Sequence, residues 1–379
     1  MGGSGVIPRW KIAREVDRFS QQVKAAIGLI WEPFVQRRYD RNRAKLLIIS
    51  DGIKPLQTKV AVYLIFQPNK ILQSTIDTCR ILDTAGYSTL IVSNAPLNKI
   101  SLDALTQVTW KIMQRPNYGY DFGGYRDGIL FLRDNEVIPD RLLVLNDSVW
   151  YPLLEKDTLL ERLEASGLDV SGTIVHRSFH KTILRRRLTR VIESYFFLFS
   201  RKVVQSHEFA SFWENYRMSS IKYNAVHRGE RRITEAMLAA GFSADGLFGR
   251  EEFLEALVNK DSWYLIKALI YSNYTNKSFE QSRKILVSGF NDSLDWRERA
   301  TAHFRLVSSK HSFFASFPFV AAGELDVPLI KRSNGALQVM ARKSVLDAIH
   351  AGDLCPVRNS VMAELTASHG KTHHQEKLK

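Results

Sequence analysis

The sequence predicts an α/β protein whose mainly parallel sheet is covered by helices on both faces. From Lys59 onward, short apolar runs rich in β-branched and aromatic residues alternate with segments of helical period, as in chains of β-α-β units. A Gly-rich stretch, Arg115 to Gly128, follows one such run and leads into a helical pattern, which is where open parallel sheets bind ligands. The composition, 45% hydrophobic and 24% charged over 379 residues, is that of a globular chain and excludes collagen-like, disordered and disulfide-scaffold classes. That length suits two domains, or one large domain with additions.

Residues 1–57 read as a basic, amphipathic helical segment. Ile12, Val16, Phe19, Val23, Ala26 and Ile30 recur at alternating steps of four and three with Arg and Lys between them, and Pro33 ends or kinks the helix. Residues 58–250 form the sheet domain. Lys59 to Phe66 is a strand, Asn69 to Ala85 a helix stopped by Gly86, and Ser88 to Val92 a second strand. Ser101 to Val108 has helical spacing, Trp110 to Met113 is a strand, a helix begins near Gly124, and Arg141 to Leu145 is again a strand. Glu155 to Ala165 is helical, and Val170 to Val175 and Ser194 to Phe199 are strands. Residues 251–368 are mainly helical, and 369–379 have the composition of a disordered tail.

The net charge of +14 is concentrated. Residues 1–45 carry ten basic and four acidic side chains, and Arg177 to Lys202 carries eight basic residues against Glu193 alone. Such surfaces attract nucleic acid, anionic lipid or phosphorylated small molecules, and charge does not choose among them. No recognisable nucleic-acid module accompanies the charge. The basic amphipathic helix fits a membrane surface and fits packing against protein equally. Cys79 and Cys355 lie far apart without ligand-spaced neighbours, which points to a reducing compartment and no zinc site. Met1 to Arg9 lacks the features of a secretory signal, and the longest apolar candidate, Phe313 to Val320, is too short to span a bilayer and contains a Pro. The expectation is a cytoplasmic protein, peripheral on the inner membrane face if the basic surfaces engage lipid.

Two segments carry chemistry. The first is Arg115-Pro-Asn-Tyr-Gly-Tyr-Asp-Phe-Gly-Gly-Tyr-Arg-Asp-Gly128. Backbone N–H groups and a helix dipole at a strand-to-helix turn favour anions, and glycines let the backbone approach a ligand. The spacing fits neither a Walker loop nor a dinucleotide fingerprint. The second is Leu142-Leu-Val-Leu-Asn-Asp-Ser-Val149, a strand that ends abruptly in Asn146, Asp147 and Ser148. A carboxylate between short oxygen-bearing side chains suits a hard cation beside a diphosphate, and it suits a turn and N-cap as well. His176 and His180 stand in the basic stretch as further phosphate contacts or as bystanders.

In this order the segments resemble the rhamnan synthesis protein F family of bacterial polysaccharide glycosyltransferases. The resemblance spans about residues 58 to 250 and includes Val60-Ala-Val-Tyr63, Val92-Ser-Asn94, Asn117 to Gly128, Leu145-Asn-Asp-Ser-Val149, Ser194-Tyr-Phe196 and Phe209-Ala-Ser-Phe-Trp213. It implies a GT-A-like, nucleotide-binding α/β fold, an inverting mechanism and a nucleotide-sugar donor, by family analogy dTDP-L-rhamnose. The acceptor it implies is a cell-surface polysaccharide or lipid-linked glycan. By the resemblance, Asn94 contacts the donor base. Arg115, Asn117, Gly119, Asp121, Gly123, Gly124, Arg126 and Asp127 cradle the nucleotide, with Arg126 facing the diphosphate. Asn146, Asp147 and Ser148 take the place of the metal motif, Asp147 as ligand for Mg²⁺ or Mn²⁺. With one acidic residue in that motif, weak or absent metal dependence stays open, and so does a non-catalytic assembly protein that kept the fold. Glu230, heading Glu230-Arg-Arg-Ile-Thr-Glu-Ala-Met-Leu-Ala-Ala-Gly241, has the setting of the general base, and equally of a first-turn helix acid. Val191 and Glu193 stand where the family has His and Gln, a departure that touches acceptor specificity.

Overall fold

The computed structural model describes residues 31–181 and 186–376. Its strands are β1 (Ile48–Asp51), β2 (Lys59–Ile65), β3 (Tyr87–Ser93), β4 (Lys111–Gln114), β5 (Arg141–Asn146), β6 (Val149–Trp150), β7 (Val170–Lys181), β8 (Arg186–Ile192), β9 (Phe196–Ser200), β10 (Ala244–Phe248) and β11 (Ile330–Lys331). Nine of them form one sheet in the order β1-β4-β3-β2-β5-β9-β7-β10, with β8 pairing on β7, while β6 and β11 form a two-stranded ribbon. The predicted parallel sheet is its core, since β4, β3, β2 and β5 run parallel. The flanks differ: β1 on β4, β9 on β5 and on β7, and β8 on β7 are antiparallel.

Side chains of β2 alternate between two cores, as a sheet buried on both faces requires. Ala61, Tyr63 and Ile65 pack with Ile76, Cys79 and Leu82 of the helix Gln73–Thr84 and with the aromatic helices of the C-terminal region. Val60, Val62 and Leu64 pack with Phe122, Tyr125 and Ile129 of the helix Tyr120–Asp134 and with Phe209, Trp213, Ile233 and Met237.

Several expectations shift. The helix placed near Gly124 begins at Tyr120, so most of the Gly-rich segment is helix rather than loop. The basic stretch contains β8, and residues 48–51 and 244–248 are strands in segments read without them. The helix Asn359–Glu376 continues through residues assigned to a disordered tail. Its first turns are anchored by buried Val361 and Leu365, so helix propagation carries the polar residues that follow. Most of the amphipathic segment Trp10 to Trp31 lies outside the described residues, as does Arg185, while residues 31–46 are helical. Cys79 is buried and Cys355 exposed, both free. Among the described residues no helix is long and apolar enough to cross a membrane.

Candidate functional site

Parallel strands end on a common rim, and β2, β3, β4 and β5 deliver Phe66, Asn94, Arg115 and Asp147 there. Asp147 is held by its own strand neighbour: its Oδ2 accepts from the Phe66 N–H at 3.0 Å and from Gln67 Nε2 at 2.8 Å. Buried Asn146 works in two directions, donating from Nδ2 to Asp121 Oδ2 at 3.1 Å and accepting at Oδ1 from Ser148 N at 3.0 Å. Asp121 is open to solvent along its side chain yet surrounded by protein mass. Burial first, then the charge of Asp147 and less so that of Glu230, raise its carboxyl to about 6, against the pull of Lys222. Glu230 begins the helix Glu230–Ala239, and its Oε2 accepts from the Ser194 N–H at 3.1 Å and hydroxyl at 2.6 Å. Gly229 makes this approach feasible, because a Cβ there would lie 2.3 Å from Cγ of Phe122. Asp147 and Glu230, remote in sequence, are thereby both brought within electrostatic reach of Asp121.

Asn94, Arg115, Arg126 and Asp127 make hydrogen bonds within the fold. Asp127 is fully buried and accepts from Arg115 Nε at 2.6 Å, Arg43 Nε at 3.1 Å and the Tyr39 hydroxyl at 2.5 Å. Buried Arg115 also donates to Asn94 Oδ1 at 2.6 Å and to the Tyr118 carbonyl at 2.6 Å, and Asn94 donates from Nδ2 to the Tyr120 carbonyl at 3.3 Å. These contacts turn Arg115, Asn94 and Asp127 inward. Arg126, expected to face a diphosphate, is buried and donates to Asp40 Oδ1 at 2.7 Å and to the Trp213 carbonyl at 3.0 Å. The glycines serve packing as well. A Cβ on Gly124 would lie 2.1 Å from Leu64 Cδ1, and one on Gly123 would lie 2.1 Å from the Tyr118 carbonyl oxygen. Gly119 has the left-handed φ of 84° at the helix start. Asn117 is exposed on the loop before it.

Three residues that sequence reasoning missed belong to the rim. Gln67 orients Asp147, Ser194 orients Glu230, and exposed Lys222, at the start of the helix Lys222–Arg228, is the cation acting on Asp121. A signal existed for Ser194 in the Ser-Tyr-Phe match, but none for Lys222. His176 Nε2 lies 2.8 Å from Glu193 Oε1, while Lys331 Nζ donates to Glu193 Oε2 at 2.6 Å. Burial opposes ionisation of Glu193, yet the hydrogen bond from His176 and the charge of Lys331 hold its carboxyl down to about 2. The backbone of His180 is in β7. Among the described residues no group of three or more His, Cys, Asp or Glu side chains is arranged to hold a metal. The charge of Asp147 opposes ionisation of Asp121, and one or two carboxylates beside phosphate oxygens are the usual Mg²⁺ set. The donor set thus fits a cation shared with a diphosphate, not a cage made by protein alone.

These strand ends, the Gly-rich helix and Glu230 lie largely within one continuous stretch of chain. Residues 89–276 match the family model of rhamnan synthesis protein F. The matched region starts in β3 and ends beyond the helix Ser262–Ile270, so it includes Asn94, Asp121, Asp147, Lys222 and Glu230 but not Gln67 or Lys331. The uncharacterized protein y4gN of Sinorhizobium fredii (strain NBRC 101917 / NGR234) is 29% identical over 344 residues, covering 89% of this chain and 87% of that protein. Among solved structures, the mannosyltransferase PcManGT from Pyrobaculum calidifontis in complex with GDP-Man and Mn²⁺ is similar at a TM-score of 0.30 and 8% identity, covering 87% of this chain and 97% of that one.

Proposed function

We propose that the protein is a glycosyltransferase that moves a deoxyhexose, L-rhamnose from dTDP-L-rhamnose, onto a cell-surface polysaccharide or lipid-linked glycan with inversion at the anomeric carbon. The observation that carries this reading is the meeting of Asp121, Asp147 and Glu230 at one sheet rim inside the segment matching rhamnan synthesis protein F. In the reaction, Glu230 takes the proton of an acceptor hydroxyl, with Ser194 fixing the carboxylate. The hydroxyl oxygen bonds to the anomeric carbon as the bond from that carbon to the diphosphate oxygen breaks, and dTDP leaves with the electron pair. Lys222, exposed and acting on Asp121, meets the growing negative charge, while Arg126 is already paired with Asp40. Asp121 and Asp147 are the residues that would hold Mg²⁺ or Mn²⁺, which when bound supplies further charge neutralisation at the diphosphate.

A peripheral position on an anionic membrane suits a lipid-linked acceptor. The helical residues 31–46 expose Trp31, Phe34 and Val35 together with Arg37, Arg38 and Arg41. Cosedimentation with anionic vesicles at low salt should fall when Trp31 and Phe34 are both changed to Ser, and equal cosedimentation with neutral vesicles removes this part of the reading.

The function is tested by release of nucleotide from dTDP-L-rhamnose against a panel of UDP- and GDP-sugars, with and without Mg²⁺ or Mn²⁺. Turnover highest with the dTDP-deoxyhexose supports it. Absence of turnover and of binding with every donor favours the non-catalytic assembly protein.

A further inference from the structure

A groove of about 800 Å³ lies between the β7–β8 hairpin and the helix Glu230–Ala239. From the hairpin it is lined by His176, Ser178, Thr189 and Arg190, and from the helix by Glu230 and Arg231, with Glu235 and Leu238 further along. Glu230 links it to the rim, because the same carboxylate lines the groove and acts on Asp121. A ten-residue helix is about 15 Å long, room for roughly two or three sugar rings. The mixture of hydroxyls, a carboxylate, guanidinium groups and small apolar side chains is what a glycan requires of its walls.

The cations of the groove are differently placed. Arg190 reaches back into the fold, with Nη1 3.4 Å from the Ala244 carbonyl and Nε 3.6 Å from Asp245 Oδ2. His176 is tied to Glu193, which favours its protonated form. Arg231, one residue after Glu230, is exposed and makes no hydrogen bond or ion pair among the described residues. A free guanidinium beside a polar groove is poised for an anion, which it can grip through two N–H groups.

We infer that this groove is the acceptor subsite, that it takes a short saccharide segment bearing an anionic group, phosphate or carboxylate, and that Arg231 is the specificity residue reading that group. The inference rests on the glycosyltransferase reading for its name of acceptor, but the groove's preference for anionic sugars is measurable without it. The neighbouring pair then has divided tasks: Glu230 faces the hydroxyl to be glycosylated and Arg231 holds the charged substituent that fixes the saccharide's register.

The test uses the full chain and four probes: glucose, glucose 1-phosphate, glucuronic acid and dTDP. Saturation-transfer NMR titrations give the sugar affinities, and calorimetry gives that of dTDP. The expected result is tighter binding of one or both anionic sugars than of glucose, weakened roughly tenfold or more by Arg231→Glu and largely restored by Arg231→Lys, with dTDP affinity unchanged throughout. The phosphate and carboxylate arms tell the two sources of charge apart. Equal affinity for all three sugars, or anionic binding that survives Arg231→Glu, overturns the subsite while leaving donor binding intact. Sugar binding with the expected Arg231 dependence but no dTDP binding supports the subsite and sinks the donor reading instead.

Discussion

One helix, Tyr120–Asp134, carries two aspartates in opposite circumstances. Asp127 is wholly buried and meets two arginines and a tyrosine hydroxyl, whereas Asp121 meets an asparagine amide and, at longer range, two other carboxylates. The first arrangement is satisfied and closed. The second is only partly offset: burial and two carboxylates raise the Asp121 carboxyl to about 6 against the pull of Lys222, a balance that is costly for an empty protein and useful for one that receives a cation or a positively polarised substrate. Residues of one type, six positions apart, thus stand in a closed network and at an open rim.

The largest effect expected from this contrast is on stability. Asp127→Ala strips Arg115 of its main partner inside the protein, and breaking a buried ion pair from one side costs about 3–5 kcal/mol. Asp121→Asn should stay within about 0.5 kcal/mol of the parent, or gain slightly, because it removes a repulsion, while weakening binding of a dTDP-sugar. Denaturant unfolding of the two variants beside a donor titration measures both sides. Similar stability losses in the two would erase the distinction.

That distinction was not legible in the sequence. The β-α-β period from Lys59, the position of the Gly-rich segment at a strand end and the pairing of Asn146 with Asp147 were visible, because periodicity and strand termination are local signals. What decided the roles of Asp127 and Arg126 was helix 31–46, whose Tyr39, Asp40 and Arg43 reach residues more than 80 positions away. β8 was hidden because Arg186, Arg187 and Arg190 interrupt its apolar residues, and β1, at four residues, is too short to show a period. Glu364 was equally invisible: it accepts from Ser74 N–H and hydroxyl, capping the helix Gln73–Thr84 from 290 positions away.

A smaller stability effect sharpens the claim that the glycines serve packing. Gly124→Ala forces a methyl against Leu64 and should cost roughly 1–3 kcal/mol, with donor affinity falling only as far as the helix is displaced. A stable Gly124→Ala protein that has lost donor binding would return this glycine to the ligand.

The smallest effect comes from a third carboxylate, Glu193, buried like Asp127 but paired with His176 and Lys331 at the groove. Its carboxyl is lowered to about 2, so its stabilising contribution is present above the ordinary glutamate range near 4.5 and is lost as pH falls toward 2. His176 is raised, chiefly by its hydrogen bond to Glu193, so its share is full below about 6.5 and fades as pH rises through the raised value. The stability difference between parent and Glu193→Gln should therefore be greatest between about pH 4.5 and 6.5. A difference that does not vary with pH from 3 to 8 would contradict the pairing.

The central claim is that binding and chemistry are separate at this rim, and the most direct measurement is donor affinity beside single-turnover transfer in Asp147→Ala and Glu230→Gln. Asp147→Ala should weaken donor binding and abolish any response to Mg²⁺ or Mn²⁺. Glu230→Gln should keep donor affinity near that of the parent and lower turnover by about 10²- to 10⁴-fold, the usual worth of a general base, with little change in stability. Transfer by Glu230→Gln at the parent rate would contradict the account.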